Sequence, residues 1–355
     1  MGLCLPAVSP SAQTRTQTFD SLLSSYISGH HIPGLSLSVV DHGEVILVKG
    51  FGQADVENGV PASGDTVYRI ASLSKPVTAT AAMMLAESGK LDLDAPIQKY
   101  CPAFPQKPWP ITARELLSHQ SGIRDYRNSQ ETLNTRHYYG LRDALSQFAG
   151  DPLEFEPGTR MQYTSYGYIV LGCVMEGASG MAFNDYMRQA VFEPARMLAT
   201  RLDNVFAIIP HRARGYVLSA GGTLQNAPFV DVSNKPPGSG INSSARDMGN
   251  LLAALFAGKL VSAATLERML TPQKTRDGKS TIYGLGFFRG GPLSSYRGLE
   301  EAGHGGDQQG FSSTIYLLPS RQFGIVILCN LEAECNSQDL IALSRAMFDA
   351  IAAPQ

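Results

Sequence analysis

The sequence predicts an α/β (α+β) protein in which an antiparallel sheet is built from both chain ends, flanked by terminal helices, with a large, mostly helical subdomain inserted between them. Three observations predict this: a helix and a β-hairpin near the start, a hairpin and a helix near the end, and apolar residues at helical spacing in between. In order, Leu22, Leu23, Tyr26 and Ile27 give a helix over 20–30 that Pro33-Gly34 ends. Residues 35–40 and 45–51 are β-rich and join through the tight turn Asp41-His42-Gly43-Glu44. Helices are expected over 78–88, 112–118, 141–148, 166–178, 184–191, 244–256 and 263–270. Strands at 312–318 and 323–329 turn at Pro319-Ser320, and 339–351 reads as an amphipathic helix. The division that follows is a sheet unit of residues 16–77 and 280–355, a helical insert of 78–279, and a ligand site at the seam.

With 355 residues, 43% of them hydrophobic, the chain can bury one large core or two modest ones without staples. Lys and Arg (29) nearly balance Asp and Glu (31), so the basic excess that a nucleic-acid partner needs is absent. The longest apolar runs, such as 323–329, are strand-length, and no membrane span is expected. Five cysteines, an odd number without a C-x-x-C pair, are expected to be buried free thiols, neither a zinc site nor a disulfide framework. Residues 1–8 with Ser11-Ala12-Gln13 resemble the tail of a secretory signal and its cleavage zone. Residues 1–15 are therefore set aside, and a periplasmic or secreted location is expected, with a cytoplasmic one as the alternative.

Ser72-Leu73-Ser74-Lys75 fits S-x-x-K at the start of a helix, which puts Ser72 and Lys75 about one turn apart on one face. A serine hydroxyl needs a base against it, and a lysine serves only when burial or neighbouring cations lower its pKa. Among 9 lysines and 32 serines such a spacing arises about once by chance, and a helix cap beside an exposed lysine is the plain alternative. Downstream, Glu156-Pro157-Gly158 leads into Tyr163-Thr164-Ser165, where a phenol beside ammonium groups is expected to be drawn toward phenolate and to relay protons. Gly303-His304-Gly305-Gly306 is expected just before the strand at 312, its glycines letting a substrate approach the backbone.

These motifs, in this order, resemble those of the serine β-lactamase and penicillin-binding-protein superfamily, in the class C branch that also holds DD-peptidases, D-amino-acid peptidases and family VIII carboxylesterases. Leu116-Leu117-Ser118-His119-Gln120-Ser121-Gly122 is similar to that superfamily's LLxHxSG segment, and His304-Gly305-Gly306 stands where many members have Lys-Thr-Gly. Finer similarity, at residues 54–58, 89–94 and 118–124, runs to the mitochondrial serine β-lactamase-like branch and its bacterial relatives. The resemblance implies Ser72 as nucleophile, Lys75 and Tyr163 as the proton-transfer pair, and the N–H groups of Ser72 and Asp307 as an oxyanion hole. Ser165, His304, Gly305 and Gly306 would meet the substrate. Ser165 stands where many relatives have Asn, and neutral His304 replaces a lysine that fixes a substrate carboxylate; both departures lower the expectation of β-lactam hydrolysis.

The expected function is a serine hydrolase that forms an acyl-enzyme on small esters or peptide-like amides, with β-lactams as weak substrates. The alternatives are a DD-carboxypeptidase or β-lactamase proper, and a non-catalytic scaffold. No cofactor or metal is expected: there is no H-E-x-x-H, the P-loop position 273 is Gln273, and Gly284-Leu285-Gly286 is followed by Arg289 where a third glycine is needed. The sequence leaves the oligomeric state open. His119 is expected to hold its loop, and Glu87, Asp92 and Asp94 to form a solvated face.

Overall fold

The computed structural model describes residues 10–332 and 337–352. Residues 1–8, read above as a signal tail, lie outside them, as do Cys4 and Cys335. The chain begins with α1 (Pro10–Gly29), followed by the hairpin β1 (Gly34–Asp41) and β2 (Glu44–Asp55), then β3 (Val60–Pro61) and β4 (Val67–Arg69). The middle holds α2 (Ser74–Glu87), α3 (Ala113–Leu117), α4 (Ser129–Thr132), α5 (Leu141–Leu145), α6 (Ser165–Ser179) and α7 (Phe183–Met187). After these come β5 (Arg201–Leu202), β6 (Tyr216–Leu218), β7 (Leu224–Asn226), α8 (Pro236–Ser239), β8 (Ile241–Ser244), α9 (Ala245–Phe256) and α10 (Ala263–Leu270). The chain closes with β9 (Ser295–Tyr296), β10 (Leu299–Glu300), β11 (Ala302–Gln308), β12 (Phe311–Leu318), β13 (Phe323–Cys329) and α11 (Ser337–Ala352). No described helix is long and apolar enough to cross a membrane.

Six strands form one sheet in the order β11-β12-β13-β1-β2-β3, with antiparallel neighbours throughout. The predicted architecture holds: the first strand pairs with the last, Leu35 opposite Cys329 and Val40 opposite Gly324. Period-two alternation sorts each strand between two cores. Leu35, Leu37, Val39, Ile325 and Ile327 pack with Phe19 and Leu23 of α1 and Leu340 and Met347 of α11. Val40, Val326 and Leu328 turn to the opposite core with Met248, Leu251 and Leu252 of α9, which runs on into the helical middle.

Two expectations about elements are corrected. Residues 303–306 do not precede a strand but lie inside β11, at the sheet edge. Three glycines there carry no side-chain alternation, so the ladder that makes the strand leaves no apolar signal. A three-stranded sheet, β4-β8-β5, is also threaded through the stretch that reads as helical.

The cysteine expectation is overturned as well, because Cys101 and Cys173 form a disulfide across 72 residues. Cys173 and Gly177 are one turn apart on α6. A Cβ at Gly177 would lie 1.8 Å from the Tyr100 carbonyl oxygen, so the bare backbone there lets the 97–101 turn lie on the helix and bring Cys101 to its partner. Cys329 is buried in β13. Glu87, Asp92 and Asp94 are exposed, as expected of a solvated face, and two of them also hold neighbours. Glu87 accepts from the Ser262 N–H and the Thr265 hydroxyl at the start of α10, and Asp94 holds Arg114 through two hydrogen bonds of 2.7 and 2.8 Å.

Candidate active site

Ser72 sits in a 3-10 turn, residues 71–73, between β4 and α2. Ala71, just before it, takes φ +47°, a left-handed conformation that costs a non-glycine residue on the order of 1–3 kcal/mol. The turn is pinned where Leu73 N–H and the Ser313 hydroxyl both donate to the Ile70 carbonyl, at 3.0 and 2.8 Å. One helical turn on, Lys75 is 0% exposed. Its Nζ lies 3.1 Å from Ser72 Oγ, 3.3 Å from Ser165 Oγ and 2.9 Å from the Gly238 carbonyl oxygen. Burial pushes the Lys75 pKa down to about 7; Asp125 opposes this and Lys235 adds to it.

Tyr163 is positioned by the cap of the next helix. Thr164 accepts from Gly167 N–H with its side chain, opening α6, and its hydroxyl donates to the Arg124 carbonyl at 2.7 Å. Tyr163 therefore projects from the helix mouth with its ring 4.2 Å from that of His119 and 4.7 Å from Lys75 Nζ, centroids taken for the rings. His119 does hold its loop: Nδ1 accepts from Thr164 N–H at 3.2 Å, and its carbonyl accepts from Gln162 N–H at 2.8 Å. Burial raises the Tyr163 pKa well above 10 against a hydrogen bond with Ser72, so the expected drift toward phenolate is reversed and the group is a neutral phenol. Ser165 is buried, with its N–H on Asp125 Oδ1 at 3.0 Å and its Oγ toward Lys75; it is not among the residues lining the cleft.

The opposite wall is β11. A Cβ at Gly306 would stand 2.8 Å from Ser72 N and 2.9 Å from the Ile70 carbonyl oxygen, so only glycine lets the strand lie this close to the nucleophile turn. Gly303 exchanges both backbone hydrogen bonds with Phe288, at 2.9 and 3.0 Å, on the side away from β12. Peptide direction alternates along a strand, which turns the N–H groups of Gly305 and Asp307 to that same open edge. His304 is 2% exposed, with Nδ1 2.6 Å from the Gly305 carbonyl oxygen and Nε2 3.0 Å from the Tyr283 hydroxyl. Burial, with Lys75 nearby, pushes its pKa to about 3. The ring is neutral: Nδ1–H donates to the carbonyl and Nε2 accepts from Tyr283.

These walls enclose a cleft of about 420 Å³, lined by Ser72, Tyr163, His304, Gly305, Gly306 and Asp307 together with Ile282, Phe288 and Leu293. No lysine or arginine among the described residues lines it. The structure thus brings Ser72, Lys75, Tyr163, Ser165, His304, Gly305, Gly306 and Asp307 together from three separate stretches of the chain. Sequence reasoning missed Asp125, Lys235, Gly238 and Tyr283. Asp125 follows directly on Ser118–Arg124, and Lys235 and Gly238 lie in a Pro-Gly run that reads as a turn. No spacing rule links either to Ser72.

A family model described as Beta-lactamase matches residues 19–345. The chain is 32% identical over 284 residues to the human mitochondrial serine beta-lactamase-like protein LACTB, covering 61% of this chain and 52% of that protein. It thus spans about half the length of that relative. Protein flp of Staphylococcus aureus (strain NCTC 8325 / PS 47) is 27% identical over 329 residues, covering 90% of this chain and 64% of that one. Among solved structures, the octameric penicillin-binding protein homologue from Pyrococcus abyssi aligns with a TM-score of 0.77 at 26% identity, over 92% of this chain and 76% of that chain.

Proposed function

The chain belongs to the beta-lactamase family, and from that premise we propose that it is a serine hydrolase which forms an acyl-enzyme on Ser72 and cleaves small esters or peptide-like amides. The observation carrying this reading is the set of three atoms around Lys75 Nζ. A neutral amine has two hydrogens and one lone pair; the hydrogens suit the Gly238 carbonyl and Ser165 Oγ, leaving the lone pair for the Ser72 hydroxyl at 3.1 Å. Ser72 Oγ attacks the carbonyl carbon as its proton passes to Lys75, and the oxyanion is held by the N–H groups of Ser72 and Asp307. Tyr163, a neutral phenol, accepts the proton from the lysine ammonium as it gives its own to the leaving alcohol or amine. Water then attacks the acyl-enzyme by the reverse sequence, restoring Ser72.

The walls support a choice among substrate classes. Both ring nitrogens of His304 are engaged, and among the described residues no lysine or arginine lines the cleft to hold a substrate carboxylate. Ile282, Phe288 and Leu293 suit an uncharged apolar acyl group. This favours esters over β-lactams. The Cys101–Cys173 disulfide supports a periplasmic or secreted setting.

A fluorophosphonate or penicillin probe, followed by mass spectrometry, tests the reading: an adduct on Ser72 that Ser72→Ala abolishes is expected. Absence of an adduct in folded protein would favour the non-catalytic scaffold. Initial rates on p-nitrophenyl butyrate, a D-Ala-D-Ala peptide and nitrocefin should fall in that order.

A further inference from the structure

The reaction above uses the backbone N–H of Asp307 and leaves its carboxylate without a task. Among the described residues lining the cleft, Asp307 is the only one with a charge, since His304 is neutral. The residue is exposed, and among the described residues no lysine, arginine or histidine forms an ion pair with it. Its Oδ1 accepts from the Ser312 hydroxyl at 2.7 Å, but that single hydrogen also faces the Leu331 carbonyl oxygen at 2.9 Å. Oδ2 has no donor among the described residues. The cleft therefore holds a carboxylate with one shared hydrogen bond and no cation.

Strand geometry places that charge. Successive side chains point to opposite faces of a strand. The face of β11 that holds His304 and Gly306 is the one turned to Ser72, so Asp307 points to the other, beside its register partner Ser312. Gly303 shares this second face, where a Cβ would lie 3.4 Å from Leu293 Cδ1. Leu293 and Ile341 both line the cleft and belong to the core under α11, so the cleft runs from Ser72 over the edge of β11 to the Asp307 carboxylate. An aspartate oxygen lies within about 3–5 Å of its own backbone nitrogen, and an oxyanion held by that N–H lies about 3 Å from it. The carboxylate thus stands close enough to repel the charge that develops on the substrate oxygen. A cation on the substrate would offset this repulsion as the oxyanion forms, an interaction stronger in the transition state than before it.

We propose that Asp307 is a specificity-determining residue whose carboxylate selects substrates with a positively charged leaving group, the charge about four bonds, or 5 Å, from the scissile carbonyl carbon. An ester of an amino alcohol has this form. The inference rests on the hydrolase reading and deepens it: the apolar wall takes the uncharged acyl group, which leaves the charge to the other substituent of the carbonyl. The same carboxylate disfavours an anionic leaving group.

The test compares butyrylcholine with its neutral isostere, in which a tert-butyl group replaces trimethylammonium, on wild type and Asp307→Asn. The ratio of the two kcat/KM values should fall about tenfold in Asp307→Asn, a comparison in which the intrinsic reactivities of the esters cancel. Butyrylcholine turnover should slow while the neutral ester speeds up about two- to fivefold, as the repulsion of the oxyanion is lost. In wild type the ratio should also decline as salt is raised from about 0.05 to 0.5 M. Equal slowing of both esters in folded Asp307→Asn, the mark of a merely structural role, overturns the proposal; if that variant does not fold, Asp307→Ser is read in the same way. A p-nitrophenyl ester with trimethylammonium on its acyl chain, set against its tert-butyl isostere, should show no such change, and selectivity there but not for butyrylcholine overturns the assignment to the leaving group. If wild type turns over no ester, the hydrolase reading fails and binding decides this one. Calorimetry on Ser72→Ala should then show butyrylcholine bound about tenfold more tightly than its isostere, a preference that adding Asp307→Asn removes; equal binding overturns the proposal.

Discussion

In the proposed reaction the amine that takes a proton from Ser72 must arrive uncharged, and burial of Lys75 favours that form at a cost in stability. With its pKa near 7 in the folded chain and 10.5 ordinarily, Lys75 binds a proton only in the unfolded state between those values. Stability therefore rises as pH climbs through that window. Lys75→Met should stabilise the protein by about 1–3 kcal/mol in urea at pH 7.5, with the difference narrowing toward pH 10, while abolishing turnover. In wild type, kcat/KM should fall about tenfold per pH unit below about 7, because a protonated Lys75 has no lone pair. His304 does not contribute to that limb, since it stays neutral down to about 3. At this scale the sequence was readable where the chemistry is local: Ser72 and Lys75 are three residues apart. It was silent on Asp125 and Lys235, 110 residues apart in the chain, which only the fold brings to the same amine, and it misjudged Tyr163 because burial, which the sequence does not show, holds the phenol in its neutral form.

Elements show the same division. The helices and hairpins with apolar periodicity were legible because the side chains that pack also write the pattern, as with Leu35, Leu37 and Val39 on one face of β1. β11 was not, because Gly306 lets the strand lie close to Ser72 and, with Gly303 and Gly305, leaves the period unwritten. Gly177 on α6 is a related case. Gly177→Ala should cost about 2–4 kcal/mol, measured by urea unfolding, since the Tyr100 carbonyl leaves no room and a helix or turn must shift. The disulfide beside it was hidden by the odd cysteine count. Its removal in a Cys101→Ser, Cys173→Ser double variant should cost about 2–4 kcal/mol through the freed 72-residue loop, with dithiothreitol lowering the Tm of wild type and not of the variant.

At the scale of the whole molecule, α11 is tied to the site strand by one buried charge. Glu301, 0% exposed at the foot of β11, accepts from Arg345 Nε on α11 at 2.7 Å and from the Tyr316 hydroxyl at 2.7 Å. Arg345→Met would leave that carboxylate without its cation and should cost about 3 kcal/mol, read as a lower urea midpoint. Arg345→Lys should recover part of it, since one of two hydrogen bonds can be remade. The pairing of β1 with β13 also carries a consequence for how the protein is made. As the chain leaves the ribosome, the hairpin of β1 and β2 emerges with one edge bare and must keep it so until β13 has been synthesised. The helical middle can condense during that wait, but the sheet cannot close, and the wall bearing His304 and Asp307 has nothing to stand on until β13 arrives. The walls of the proposed active site are thus completed only when β13 joins the sheet, and until then the order of the strands keeps the nascent chain without them.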